Sequence, residues 1–302
     1  MSLLIPEKPF KIFAINEFER IICTIISIDI WNSSGTKIKN IPVPLKYIYD
    51  LVMIDNCVLV VTGIDGERDR EVRKLIWIDI RTNTILKIID SFSKSINSLL
   101  YDTQSKCIYA FSFDNTVYKY NANDYTLIKS THLNVCLGNL IIVHPLNAFF
   151  GIDASTTDEH RAFNLNDFTE MVFPTVIQNL EAFNEKYNYV ISCSQNGKTL
   201  YVYDLNNQCL FNEIHFENPI HQVKFSNDYE IMFVALIYDN AYFYNAEKFT
   251  LINQFNHGNN PINTEYTDEF WAVTFSTSNK SVIIGCHSNE VYEKEVYEKQ
   301  TI

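Results

Sequence analysis

Apolar and polar positions along this chain fall into short strands, and the strands end on a recurring signal. Seven times an apolar-aromatic run closes on an aromatic or aliphatic residue followed by Asp, Asn or Glu. The pairs are Trp31-Asn32, Ile78-Asp79, Tyr120-Asn121, Phe163-Asn164, Tyr203-Asp204, Tyr244-Asn245 and, more weakly, Tyr292-Glu293. Successive closing residues lie 40–48 residues apart. A second series keeps step with the first. Each repeat opens on a strand carrying an apolar residue at Phe13, Met53, Tyr101, Ile142, Ala182, Phe225 or Phe275, 18–26 residues ahead of its closing residue. The longest interval marks an insertion in the second repeat.

The third repeat shows the unit best. Ile96 to Tyr101 reads as a strand, Asp102 to Ser105 as a turn, and Cys107 to Phe113 as a second strand. Asp114-Asn115 makes the next turn, because Asx residues tolerate the positive φ of a tight hairpin. Val117 to Tyr120 is the third strand and Tyr125 to Ser130 the fourth. Four strands joined by short hairpins make one antiparallel meander, and a period of about 40–50 residues is that of a β-propeller blade. The chain is therefore expected to be all-β: a single propeller of seven four-stranded blades, at about 10–44, 46–92, 95–132, 136–174, 177–217, 219–257 and 268–302. Third strands such as Leu200-Tyr-Val-Tyr203 lack polar alternation, which predicts burial on both faces. Phe10 to Ile15 fits the first strand of blade one, and the tail Tyr297 to Ile302 fits the fourth strand of blade seven. The alternative puts Phe10 to Ile15 on the outer edge of blade seven.

Phe111-Ser-Phe-Asp-Asn-Thr-Val-Tyr-Lys-Tyr-Asn121 resembles the second-to-third strand signature of the WD-repeat family. Val223-Lys-Phe-Ser-Asn-Asp228 and Val273-Thr-Phe-Ser-Thr-Ser278 resemble its first-strand signature. The motifs are degenerate: no Trp-Asp dipeptide is present, and His257-Gly258 reverses the family's Gly-His. The resemblance implies a non-enzymatic scaffold, a subunit of a multi-subunit assembly, with loops between second and third strands and between blades opening on one face.

Composition narrows the partners. A formal net charge of −12 repels nucleic acid, whose binding draws on Lys and Arg. The seven cysteines form no C-x-x-C pair, so neither a disulfide framework nor a zinc site is expected. Met1 to Phe10 has too short an apolar run for a secretory signal, and no apolar run reaches the roughly 18–20 residues of a membrane helix. A cytoplasmic protein with reduced thiols and no cofactor is the expectation.

Three loops exceed minimum length. The blade-two excursion Gly63 to Lys74 carries Glu67, Arg68, Asp69, Arg70, Glu71 and Arg73. It reads as a solvated hairpin or as a docking element, whose arginines pair bidentately with carboxylates. Interleaved acids spoil it as a lipid-phosphate pocket. The blade-four loop holds Asp158, His160 and Arg161; a catalytic triad is not expected from local order alone. The loop between blades six and seven holds Glu265 and Asp268 and reads as a polar connection. The alternative function is a metal-dependent hydrolase or lactonase using the central channel, with Glu181, Asp228 and Asp268 as candidates whose spacing selects none.

Overall fold

The computed structural model describes residues 2–4, 9–66, 71–153, 160–173, 179–237, 240–256, 270–286 and 290–297. Its strands form seven four-stranded sheets, the blades of a seven-bladed β-propeller. Strand β1 is Ser2–Leu4. Blade one is β2 (Lys11–Ala14), β3 (Glu19–Cys23), β4 (Ile28–Asn32) and β5 (Lys37–Asn40). Blade two is β6 (Tyr47–Ile54), β7 (Val58–Asp65), β8 (Val72–Asp79) and β9 (Thr84–Ile89). Blade three is β10 (Ile96–Asp102), β11 (Cys107–Ser112), β12 (Thr116–Asn121) and β13 (Leu127–His132). Blade four is β14 (Leu137–Val143), β15 (Ala148–Asp153), β16 (His160–Asn164) and β17 (Glu170–Met171). Blade five is β18 (Leu180–Asn184), β19 (Tyr189–Cys193), β20 (Thr199–Asp204) and β21 (Cys209–His215). Blade six is β22 (Ile220–Phe225), β23 (Ile231–Leu236), β24 (Asn240–Asn245) and β25 (Leu251–Asn256). The last sheet takes β26 (Phe270–Phe275), β27 (Ser281–Cys286) and β28 (Glu290–Glu295), with β1 as its fourth strand.

The periodic Asp or Asn is the cap of the turn between third and fourth strands. Oδ1 of Asn32, Asp79, Asn121, Asn164, Asp204 and Asn245 accepts backbone N–H bonds from Thr36, Arg81, Asn123, Asn166, Asn206 and Lys248, at 2.7–2.8 Å. From Asp79, Asn121, Asn164, Asp204 and Asn245 the oxygen also takes the N–H two residues on, an Asx turn that only a short side chain with an acceptor oxygen can make, whereas Asn32 bonds four residues on. These five then pass through a left-handed residue: Asn83, Tyr125, Phe168, Gln208 or Phe249. An aromatic in that conformation is strained. Phe168 and Phe249 are buried in core clusters, and that packing offsets the strain.

Two phases shift from the sequence expectation. Ser281 pairs Glu295 and Val296 N–H bonds Lys280 O, matching the Ile231–Asn245 rung and the Ala246–Glu230 bond of blade six. The seventh closing residue is therefore Glu295. Glu293 lies mid-strand, where it accepts from Arg20 Nη2 at 2.7 Å and Ser281 Oγ at 2.5 Å. In blade five the register residue is Phe183 rather than Ala182, since Phe183 pairs Val190 as Phe225 pairs Met232.

Closure also differs. Phe10 to Ile15 does hold the first strand of blade one, through β2. The edge of the last sheet is taken by β1, in three rungs from Ser2–Tyr292 to Leu4–Glu290. It is not taken by the tail, of which 298–302 lie outside the described residues. The sequence favours this: Ser-Leu-Leu suits a strand better than the charged Tyr-Glu-Lys-Gln.

The strands buried throughout are the second ones, not the third. β11 and β23 are buried at all six positions, while β20 and β24 keep half-buried tyrosines among buried residues. Fourth strands β9 and β21 are mostly exposed.

The chain divides into two compact units, Met1–Thr24 with Ile30–Ile38 and Phe173–Ile302, and Ile25–Asp29 with Lys39–Val172. In the second unit, Val60, Leu75 and Trp77 of blade two pack on Ile108, Ala110 and Tyr120 of blade three. Blade three meets blade four through Tyr109, Phe111 and Phe149. Polar bonds fix the same junctions. Asp50 accepts from Leu99 N at 2.7 Å, Asn97 donates to Leu137 O at 3.1 Å, and His144 Nε2 meets Asp102 Oδ1 at 3.3 Å. In the first unit, Val202 and Val234 share one cluster, Phe243 and Ile284 another, Ile12 and Ile283 a third. There Asn184 donates to Tyr229 O at 2.9 Å and Asn227 to Ser276 O at 3.1 Å. No helix among the described residues is long and apolar enough to cross a membrane.

Candidate functional site

The insertion in blade two is a lengthened hairpin. β6, β7 and β8 each run eight residues, and the β7–β8 ladder continues through Gly63–Lys74, Ile64–Arg73 and Asp65–Val72. β9 stops at Leu75–Ile89, so those last three rungs have no fourth strand beside them. On the other side β6 pairs on, through Ile48–Gly63 and Tyr47–Ile64. Gly63 permits that approach, since a Cβ there would sit 2.1 Å from the Tyr47 carbonyl oxygen. Lys74 Nζ ties the hairpin base, donating to Asp65 Oδ2 at 2.6 Å and Pro44 O at 3.1 Å. The Lys74 hydrogen bond holds the Asp65 carboxyl below its ordinary range.

Arg73 therefore stands on the hairpin strand, half-buried, while Glu67, Arg68, Asp69 and Arg70 lie outside the described residues. At the start of β6 the structure adds exposed apolar side chains that the charges of the loop do not announce. Ile48 N donates to Ile25 O at 2.7 Å, bringing the blade-one turn Ile25-Ile26 against the start of β6. Ile25, Ile26, Tyr47, Tyr49 and Val72 are all exposed. Tyr49 sits at a register shift between Ile48 and Asp50, and such a bulge re-aims its side chain. The detectable signal was the unbroken apolar character of Ile25-Ile26 and Tyr47-Ile-Tyr49 in segments flanking turns.

The blade-four candidates separate. His160 pairs Ile152 and Arg161 pairs Gly151, so neighbouring side chains leave opposite faces of the sheet. Arg161 Nη1 donates to Glu170 Oε1 at 2.8 Å, and both line a cleft of about 220 Å³ together with Phe163 and Phe168. Asp158 lies outside the described residues, as do Glu265 and Asp268.

The residues considered for chemistry fall in two settings. Asp228 is a turn cap: burial alone would raise its carboxyl, but bonds from Ser226 Oγ at 2.6 Å and Glu230 N at 3.1 Å bring it below the ordinary range. Glu181 occupies a register shift between Leu180 and Ala182, and burial pushes its carboxyl up to about 7. The Cys193 thiol nearby is pushed up to about 12, by burial first and by the Glu181 charge second. A thiol held protonated in this way is a poor nucleophile. Among the described residues no three His, Cys, Asp or Glu side chains converge as a metal-ligand set. His144 opens a 3-10 turn, His144–Leu146, ahead of Pro145. No protein-family model matches the chain, and no curated protein matches it.

Proposed function

We propose that this chain is a non-enzymatic protein–protein interaction platform, a scaffold subunit on a divergent WD-repeat-like propeller, docking its partner at the loop face of blade two. The observation that carries this is the hairpin of β7 and β8, whose last three rungs extend past β9 and carry half-buried Arg73 on the same rung as exposed Tyr47. Aromatic and Arg side chains are the types that dominate binding energy at protein interfaces. The acidic net charge argues against a polyanionic partner, and the six described cysteines are free thiols, in keeping with a cytoplasmic setting. Affinity capture from the source cell tests the reading, with wild type beside a variant carrying Arg68→Glu, Arg70→Glu and Arg73→Glu. A stoichiometric partner lost in the variant supports the platform and this hairpin. A partner held equally by both moves the site, and capture of no partner overturns the reading.

One observation favours the alternative, a hydrolase: Glu181 is a half-buried carboxyl whose desolvation pushes it up to about 7, the range a general acid or base needs. Stoichiometric bound metal together with hydrolytic activity lost in Glu181→Gln would support it.

A further inference from the structure

The inner strands of the first unit carry positive charge that the acidic chain as a whole does not suggest. The first strand of each blade is its inner edge, and here β22, β26 and β2 follow one another, β26 packing against both neighbours. Val223 and Val273 are buried in core clusters, so Lys224 and Thr274, next along each strand, leave by the opposite face. The two are equivalent positions. Lys224 pairs Phe233 and Thr274 pairs Ile283, each one rung before Phe225–Met232 or Phe275–Val282. On β2, Ile12 is buried with Ile283, and Lys11 stands on the other face of the strand.

Lys224 has exposed side-chain surface, yet its ammonium is crowded by protein. That desolvation, and after it the like charge of Lys11, lowers its proton affinity. Cations from blades six and one thus lie within electrostatic reach of each other on either side of β26. Among the described residues no carboxylate pairs with Lys224. The acids of nearby turns are engaged elsewhere, Asp228 by Ser226 Oγ and Glu17 by the hydroxyls of Thr277 and Ser278. Glu181, on the inner strand of blade five, is raised by burial with no cation drawing it down, so it is not the counterion. Thr274 adds a hydroxyl whose bond to Phe275 O is long, at 3.5 Å. An ammonium held in such a place without an anion is costly, and a bound anion relieves the cost.

We infer that Lys224 and Lys11, with Thr274 of the intervening strand, hold a small phosphate dianion, either inorganic phosphate or the phosphate group of a small monoester. Charge selects the ligand: two ammonium groups are matched by the nearly two negative charges of a phosphate, and a carboxylate brings one. Shape agrees, because tetrahedral oxygens reach donors on separate strands, whereas a carboxylate offers two oxygens in one plane. Lysine acts as a point charge on a flexible stem, which suits donors arriving from different blades. A nucleic acid or a membrane is too large for a place where an ammonium is desolvated between strands, and it meets the net charge of −12 first. The site stands apart from the blade-two hairpin, and neither depends on the other.

Isothermal titration calorimetry of the full chain with inorganic phosphate, at about pH 8 where phosphate is a dianion, tests the site. The expected result is one phosphate per chain, bound at least about tenfold more weakly by Lys224→Met and by Lys11→Met. Sulfate should compete and acetate should not. Lys224→Met removes an unpaired, desolvated charge, so without phosphate it should melt no lower than wild type, which separates lost binding from lost fold. Phosphate should raise the melt of wild type and leave that of the variant unchanged. Glycerol 3-phosphate binding more tightly than inorganic phosphate would support the site with a monoester as its ligand, and the reverse order would support it with free phosphate. No heat of binding up to about 10 mM phosphate, equal binding by wild type and both lysine variants, or acetate held as tightly as phosphate each overturn the inference. A phosphoserine peptide that binds where inorganic phosphate and glycerol 3-phosphate do not would overturn the small ligand in favour of a phosphorylated protein segment.

Discussion

Changing Glu181 to Gln should alter how stability depends on pH. Burial raises the folded carboxyl from 4.5 to about 7, so the folded state holds a proton that the unfolded chain has released. Stability from this group is complete below about pH 4.5, declines as pH rises toward 7, and is absent above it. A separation of about 2.5 pH units corresponds to at most about 3 kcal/mol, and partial solvent contact of the side chain lowers that to about 1–2 kcal/mol. For a chain of this size each kcal/mol moves Tm by about 2 °C. Thermal melts of wild type and Glu181→Gln between about pH 5 and about pH 8 give the comparison. Wild type should lose about 2–4 °C more than the variant across that interval. A constant cost of the unpaired amide shifts both ends equally and leaves this difference intact. Parallel curves for the two proteins would refute the assignment of a half-buried, proton-holding Glu181.

Other parts of the fold carry their own tests. Arg20→Met removes the donor that meets Glu293 at 2.7 Å between blades one and seven, and urea denaturation should show a loss of about 1–3 kcal/mol, with Glu293→Gln losing less because Ser281 still bonds it. An equal or larger loss in Glu293→Gln would show that the Ser281 bond, not Arg20, holds that side chain. Gly63→Ala forces a Cβ to within 2.1 Å of the Tyr47 carbonyl and should destabilise by about 1–3 kcal/mol, with weaker partner binding; a neutral effect would mean β6 yields freely there. Cys209 is exposed whereas Cys193 is held protonated, so Ellman's reagent near pH 8 should show a fast phase that Cys209→Ser removes. A fast phase surviving that change and lost in Cys193→Ser would contradict the raised proton affinity of half-buried Cys193.

The repeat was legible because its chemistry is local. An Asx turn needs a short acceptor side chain at one fixed place, so Asn121, Asp204 and Asn245 announce their blades without any knowledge of the rest. Where that turn is not formed, the reading slipped by two residues: Glu293 looked like a closing residue but bonds Arg20, which is 273 positions away. The edge strand Ser2–Leu4 was missed for the same reason, since its partner β28 lies at the other end of the chain. At the candidate site, the charges of the hairpin stood out from Gly63 to Lys74. The apolar surface beside it did not, because Ile25 joins Tyr47 only through a backbone bond between blades. Half-buried Glu181 was a candidate by type alone. Its raised proton affinity comes from packing around a register shift that spacing cannot reveal.

The central claim is that this propeller works as part of an assembly. Size-exclusion chromatography of a gently prepared extract of the source cell, following the chain by antibody, tests it most directly. The account predicts elution as a complex well above the 35.2 kDa of the free chain, shifting toward that mass when Arg68, Arg70 and Arg73 are changed to Glu. Elution of the wild-type chain at its own mass would contradict it.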